Sequence, residues 1–279
     1  MKLKVLIILF NTILLTIFFA VFSVSFVTAG TEFIGNFFKN YWIFIAFFIC
    51  LFTVVNLFFL DNWRMITALE AEDWEGLSVY LETELFENKR LTFKKVRIFS
   101  EISILLGDFE NLRKLEAVLS ERRPRYLQRL AARFAAAKLL SGDYTGLAQF
   151  TANMVSEGKK TSPWIKFYDA FSEQLLKNYP AAAGKFSVLL AAERHPLIRL
   201  LSLYFIACGL YVYLDMSSDE IKRFIETEKT ALQKYPAAYW EKGNAKEKQH
   251  IHVLVLTKAI DEAVGWLMGN EKGQPNQQY

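Results

Sequence analysis

The densest chemistry in this chain is a run of five arginines, Arg122, Arg123, Arg125, Arg129 and Arg133, within twelve residues. A guanidinium group is a planar fork of donors that captures a carboxylate or a phosphate through two parallel hydrogen bonds. Glu121 is the only nearby acid before Asp143. Pro124 suits the first position of a helix. On that helix Arg125, Arg129 and Arg133 recur at i, i+4 and i+8, so they share one face. Such a patch fits an acidic segment of a protein partner, or anionic lipid headgroups; the structural reading is a solvated face with ordinary ion pairs. Little else offers reactive groups. His195 precedes a proline, and a helix through His250 and His252 would turn the two imidazoles to different faces. There is no Gly-x-x-x-x-Gly-Lys-[Ser/Thr] phosphate loop, no His-Glu-x-x-His and no Gly-x-Ser-x-Gly. The sequence therefore gives no reason to expect an enzyme, a catalytic residue, a metal, a cofactor or a small-molecule substrate. A net charge of +4 is too mild to imply nucleic-acid binding. Cys50 and Cys208 make no disulfide framework and read as small buried residues.

The elements that position the arginines are announced by a period. Asp73-Trp74, Asp108-Phe109, Asp143-Tyr144 and Asn178-Tyr179 follow one another at steps of 35 residues. Gly107 and Gly142 precede two of these pairs, with Glu72 and Lys177 in the other two. Ser100, Ala135 and Ala170 keep the same step, as do Leu77, Leu112, Leu147 and Ala182. Two helices per repeat account for the pattern. The glycine position ends the first helix, and the Asp or Asn caps the second. Trp74, Phe109, Tyr144 and Tyr179 are expected between the helices, and the small residue allows their close approach. A fixed period of this size marks stacked repeats, which usually bind other proteins.

These turns resemble the tetratricopeptide repeat, whose turn commonly reads Gly-[Asp/Asn]-[Tyr/Phe]-x-x-Ala. Ser100 to Gly107, Ala135 to Gly142 and Gly107 to Pro124 have the spacings of its 34-residue consensus; here the period is one longer and Leu often replaces the Ala. The resemblance covers roughly residues 58–215 and implies an all-α solenoid whose first helices line a concave partner-binding groove. It also implies that Arg129 and Arg133 face that groove. The matching earlier positions, Asn62, Ile66 and Ile98, do not form the asparagine set with which some members hold a peptide carboxylate.

Before the repeats, residues 5–28 and 41–60 carry no charge. As helices they would be about 36 Å and about 30 Å long, enough to cross a bilayer core of about 30 Å. Phe37, Phe38, Tyr41, Trp42 and Trp63 stand at the boundaries, where aromatics favour the interface. Two transmembrane helices are expected over residues 1–61. A cleaved signal peptide ending near Ala29 is the rival for the first, against which its long apolar core argues. Lys2 and Lys4 place the N-terminus inside, which returns the repeats to the cytoplasm. With no Gly or Pro between Gly35 and Gly76, the second span is expected to continue as one helix to about Ala71. Residues 200–214 are uncharged but short, and read as a buried helix of the last repeat.

After Asp215 the register fails. Ser217 and Glu220 are spaced as a capping box, and residues 247–268 read as one amphipathic helix closing the solenoid. The expected organisation is a membrane hairpin (1–61), repeats (62–215), C-terminal capping helices (216–269) and a disordered tail (270–279). The layout is similar to HemY-type bacterial inner-membrane proteins. The function expected is a membrane-anchored scaffold that binds protein partners. The alternative is a subunit of a membrane complex acting through its two spans, in an envelope, flagellar-motor, porphyrin-pathway or transporter assembly.

Overall fold

The computed structural model describes residues 3–156 and 161–269, without the side chains of 28–41, 241–244 and a few further positions before 46. The tail 270–279, the loop charges Glu32 and Lys39, and the aromatics Phe37, Phe38 and Tyr41 lie outside the described residues or side chains. Every regular element among the described residues is a helix. The chain forms two compact units, Met1–Lys95 and Val96–Tyr279.

The first unit begins with α1, Leu3–Asp61. In a straight helix Asn11 and Asn56 would lie about 67 Å apart. Instead their side-chain amides exchange two hydrogen bonds, of 3.0 and 3.1 Å. Phe18 stacks on Phe48 at 4.5 Å. The segment therefore doubles back between Phe18 and Phe48 into antiparallel arms. Among the described residues no single helix is long and apolar enough to cross a membrane; residues 46–61 and Trp63–Glu70 pass that test only as a bent pair.

The expected continuous helix to Ala71 is broken. α1 stops at Asp61, and α2, Trp63–Glu70, leaves at 59°. Asn62 causes the break without glycine or proline. Its backbone departs from helical values (φ −100°, ψ 6°) and its Nδ2 donates to the carbonyl of Phe58, the local competition that makes Asn a poor helix-interior residue. α3, Trp74–Glu82, runs into a π-helical turn, Thr83–Glu87. Within that turn Glu84 meets Lys95 at 2.6 Å, both nearly buried, and the Lys95 hydrogen bond holds the Glu84 carboxyl below its usual range.

The second unit contains the end of α4 (Phe93–Leu106), then α5 (Phe109–Arg122), α6 (Pro124–Leu140), α7 (Tyr144–Ser156), α8 (Pro163–Leu175), α9 (Tyr179–Ala192) and α10 (Pro196–Ala207). From α5 to α10 each helix packs on the next, and α6, α8 and α10 also touch in series. Contacts to the neighbour and the next-but-one are the solenoid pattern. Ser100, Ala135 and Ala170 are fully buried, as expected where helices approach closely. α10 is the buried helix foreseen at residues 200–214, but it ends at Ala207, and a 3-10 turn, Leu210–Tyr213, follows Gly209 (φ +144°).

The four turns at the 35-residue step share one backbone. Glu72, Gly107, Gly142 and Lys177 all take the left-handed conformation, with φ of 55°, 71°, 72° and 61°. The next residue's N–H donates in each to a carbonyl five residues back: Asp73 to Ala68, Asp108 to Ser103, Asp143 to Lys138 and Asn178 to Glu173, at 2.8–3.0 Å. This is the helix-ending motif in which a left-handed residue satisfies the orphan carbonyls. Asp73, Asp108 and Asp143 then cap the following helices, accepting from the N–H of Gly76, Asn111 and Gly146. Asn178 does not; its amide bonds Glu173 instead. The aromatics also differ from expectation. Trp74, Phe109 and Tyr179 are half-buried and Tyr144 is 38% exposed. They open the second helices at the rim, and the sealed position is three residues on, at Leu77, Leu112, Leu147 and Ala182.

The C-terminal part starts with α11, Ser218–Gln233, whose first turn is held by the Ser217–Glu220 capping box. α12, Ala237–Glu247, follows. Residues 247–268 are not one helix. They form α13, Ile251–Leu254, and α14, Thr257–Leu267. Thr257 turns its hydroxyl to the carbonyl of Leu254, and Leu256 is non-helical at ψ 10°. The break lets Val253, Leu256, Ile260, Ala263 and Leu267 all be buried. α11 and α14 cover α10, while α13 reaches back to α6.

Candidate functional site

Pro124 begins α6, and the arginine run straddles the α5–α6 turn. Arg122 ends α5, and Arg123 links the helices with a non-helical backbone (φ −144°, ψ 57°). Arg122, Arg123, Arg125 and Arg129 are exposed. Arg133 is not part of the same surface. Its side chain is 15% exposed and its Nη2 donates to Glu101 of α4 at 2.8 Å. The sequence patch is thus divided: four arginines face solvent, and the fifth is committed to a neighbouring first helix.

Arg133 leads to the centre of the face formed by α6, α8 and α10. His252 of α13 lies beside it. Burial, then the charge of Arg133 and then His250, pushes the His252 imidazole down to about 4. Trp164 of α8 sets its ring edge-on to both His252 and His195. Tyr168 donates its hydroxyl to the His252 carbonyl, and its complete burial raises its own pKa. His195 stands 3.5 Å from Glu247. The first-helix face is therefore occupied, and its occupant is the chain's own C-terminal segment.

Sequence spacing missed this cluster because its members are far apart in the chain. His250 and His252 were expected on different faces of one helix. In fact α13 starts only at Ile251, and the two rings stack at 5.6 Å. Among the described residues no group of three His, Cys, Asp or Glu side chains is placed to hold a metal ion.

A second feature adjoins this face. A cavity of about 500 Å³ lies where the ends of α6 and α8 meet α10 and the α13–α14 break. Phe171, Leu175 and Phe205 form one side, Val255, Leu256 and Ala259 the other. The polar lining includes Gln174, Lys177, Tyr204, Lys258 and Glu262, and Tyr204 donates to Glu262 at 3.3 Å. The Oε1 atom of Gln174 is buried without a hydrogen-bond partner.

Ion pairs tie the second helices to the first on the other flank. Lys185 of α9 bridges Asp169 (3.0 Å) and Glu173 (2.8 Å) of α8. Burial pulls its pKa down, and the two carboxylates outweigh that and raise it. Lys138 reaches Glu116 at 3.0 Å and lies over the Phe150 ring.

Residues 111–269 match the family described as "Uncharacterised Treponema protein". The chain belongs to that family. Its matched region runs from α5 through α14, so it holds the exposed arginines, the first-helix face from α6 to α10 and the segment seated upon it. A protein of Treponema pallidum (strain Nichols), described as "Uncharacterized protein", is 32% identical over 275 residues, which cover 96% of this chain and 88% of the relative. The likeness to that relative thus takes in most of the α1 hairpin as well. No solved structure matches.

Proposed function

We propose that this member of the Treponema family is a membrane-anchored adaptor of tetratricopeptide type, which recruits protein partners through its helical-repeat region and carries out no bond chemistry. The carrying observation is the recurrence of one left-handed turn, with one hydrogen-bond pattern, at four sites 35 residues apart. Repetition of that kind builds a surface. The first-helix face already cradles an amphipathic segment, the mode in which helical grooves recognise partners.

The anchor is α1. Its described outer side chains are mostly apolar and, before Asp61, uncharged, with Thr12, Thr16, Ser23 and Thr53 the hydroxyl exceptions, and its amide pair, Asn11 with Asn56, lies between the arms. A solvent-facing hairpin would be expected to arrange itself the other way round. Two antiparallel spans, with the N-terminus inside by the lysine rule, leave the repeats on the cytoplasmic side of a bacterial inner membrane. The asparagine amides are engaged with each other, which favours a scaffold over a unit working through its spans. Arg122, Arg123, Arg125 and Arg129 supply the contact for an acidic partner segment, with guanidinium–carboxylate pairing as the recognition chemistry.

Purification of the tagged full chain from solubilised membranes tests this. Stoichiometric partners are expected with the wild type and lost from an Arg122→Glu, Arg125→Glu, Arg129→Glu variant. Arg133 is left intact because its reversal would break the pair with Glu101. An unchanged partner set in the triple variant refutes the arginine surface, and release of the chain by alkaline washing of membranes refutes the anchor.

A further inference from the structure

The cavity between the repeat face and the α13–α14 break has no part in partner binding, and its test rests on the proposed function only for the α1 anchor. We propose that it is a binding site for a single-chain amphiphile, with the apolar chain inside and an anionic head at the mouth. Four observations carry this. Its volume, about 500 Å³, falls in the range of small-ligand sites, about 300–1,000 Å³. Its walls are aromatic and aliphatic: Phe171, Leu175, Phe205, Val255, Leu256 and Ala259. An apolar chain seated against these walls gains dispersion contacts with them. Two cations, Lys177 and Lys258, belong to the lining, and both residues are exposed, as a headgroup at the mouth requires.

The fourth observation is the orphan acceptor. The Gln174 Oε1 is buried and makes no hydrogen bond, and leaving a buried acceptor unpaired is costly. A hydroxyl beside the anionic group, such as the glycerol of a phosphatidylglycerol head, would donate to it, whereas a carboxylate, which only accepts, would pair with Lys177 or Lys258. The polar rim also discriminates against a plain hydrocarbon. Glu262 is engaged with Tyr204 and lies within 3.9 Å of Lys258, so its charge is partly offset and does not repel an anion at Lys177. The same chemistry has two sources, a free fatty acid or one acyl chain of an anionic membrane lipid.

Photolabelling of the full chain in isolated membranes decides the matter. The probes are a diazirine analogue of palmitic acid and a phosphatidylglycerol carrying the same photoreactive chain, with adducts mapped by peptide mass spectrometry. Adducts within residues 171–179 and 254–262 are expected, beside those in residues 3–61 that any bilayer probe produces. Labelling there by the acid alone assigns the free acid as ligand; labelling by the phospholipid as well assigns the bilayer as source. Adducts confined to residues 3–61 with both probes overturn the proposal. Ala259→Trp, which fills the space, is expected to lower cavity adducts about tenfold while adducts in residues 3–61 stay constant. Because that variant can also disturb packing, Lys177→Glu with Lys258→Glu provides a second arm at exposed positions. The pair is expected to reduce acid labelling severalfold and leave labelling by a third probe, the fatty alcohol bearing the same diazirine chain, unchanged. Equal loss of both probes, or no loss of either, removes the anionic-head assignment.

Discussion

The α1 hairpin and the repeat region dispose their apolar side chains in opposite senses. In the hairpin Ile8 is 65% exposed, Phe19 63% and Phe47 67%, while the polar Asn11 and Asn56 meet between the arms. In the repeats Leu77, Leu115, Leu147 and Phe186 have no exposed surface, and the Lys114–Glu110 pair lies on the outside. Both regions are helical, but the long runs of α1 are uncharged while the repeat helices carry charged residues among their apolar ones. The distinction lies in period too. Residues 41–60 are uncharged on every face of a helix, with Thr53 and Asn56 the polar exceptions, which suits a surrounding that is itself apolar. The repeat helices carry one apolar stripe, which suits water on one side and a neighbouring helix on the other. On the proposed membrane placement the amide pair in α1 is the complement of this, because a polar group facing lipid lacks the partner that a facing helix can supply.

The largest effect that separates the regions is a cavity in each. Leu147→Ala removes a fully buried side chain and is expected to cost about 2–5 kcal/mol. Ile8→Ala, at an outward position of the hairpin, is expected to change stability by about 0.5 kcal/mol or less. Chemical denaturation of the full chain in bilayer discs measures both, and equal costs erase the contrast.

A somewhat smaller effect is expected from acid. The His252 imidazole has its pKa depressed from 6.5 to about 4, first by burial and then by Arg133 and His250. The native state therefore binds fewer protons than the unfolded chain between those values. Stability from this group is fully present above about pH 6.5 and is lost as pH falls toward about 4, by up to about 3 kcal/mol. The same melts with His252→Gln should show a flatter profile over that window, whereas a profile unchanged by the substitution removes His252 from the clasp on the first-helix face.

The finest comparison is between two copies of one turn. Gly142 and Lys177 share the left-handed conformation (φ 72° and 61°), and a Cβ at Gly142 would meet nothing within 4 Å. Gly142→Ala should thus cost only the backbone term, about 1–2 kcal/mol. Lys177→Gly should relieve a similar strain, less the entropy glycine adds to the unfolded chain, for a net gain of about 0.5–1 kcal/mol. Effects of the same sign at both sites would show that the turns are not equivalent.

Much of the repeat architecture could be read from the chain because it rests on local chemistry. A residue tolerant of positive φ, an Asp whose carboxylate reaches an N–H three residues on, and a leucine three beyond the aromatic are short-range demands that leave their mark at each copy. Two copies were legible in spacing only: Glu72 and Lys177 take the strained conformation without the glycine that advertises it. Asn178 shows the limit in the other direction, since a residue of the right type at the right step bonds Glu173 in place of the helix end. The aromatics were placed too deep, because the period fixes a residue's phase in the repeat and not its distance from solvent. The split of the arginine run was invisible, since Glu101, which takes Arg133, lies in the preceding repeat.

What the sequence determined by itself is whatever a stretch of some ten residues can enforce: helices, their caps, the four turns and the uncharged lengths of α1. What tertiary structure decided is where distant surfaces meet. The return of α1 upon itself, the bend at Asn62, the division of residues 247–268 into two helices and the seating of α13 against α6 all follow from competition among surfaces remote in the chain. Trp164 and His252 are 88 positions apart, and no local rule relates them. They touch because a break near Leu256 lets Val253 and Ile260 both reach burial, a gain that exists only once α6, α8 and α10 have already assembled a face to receive them.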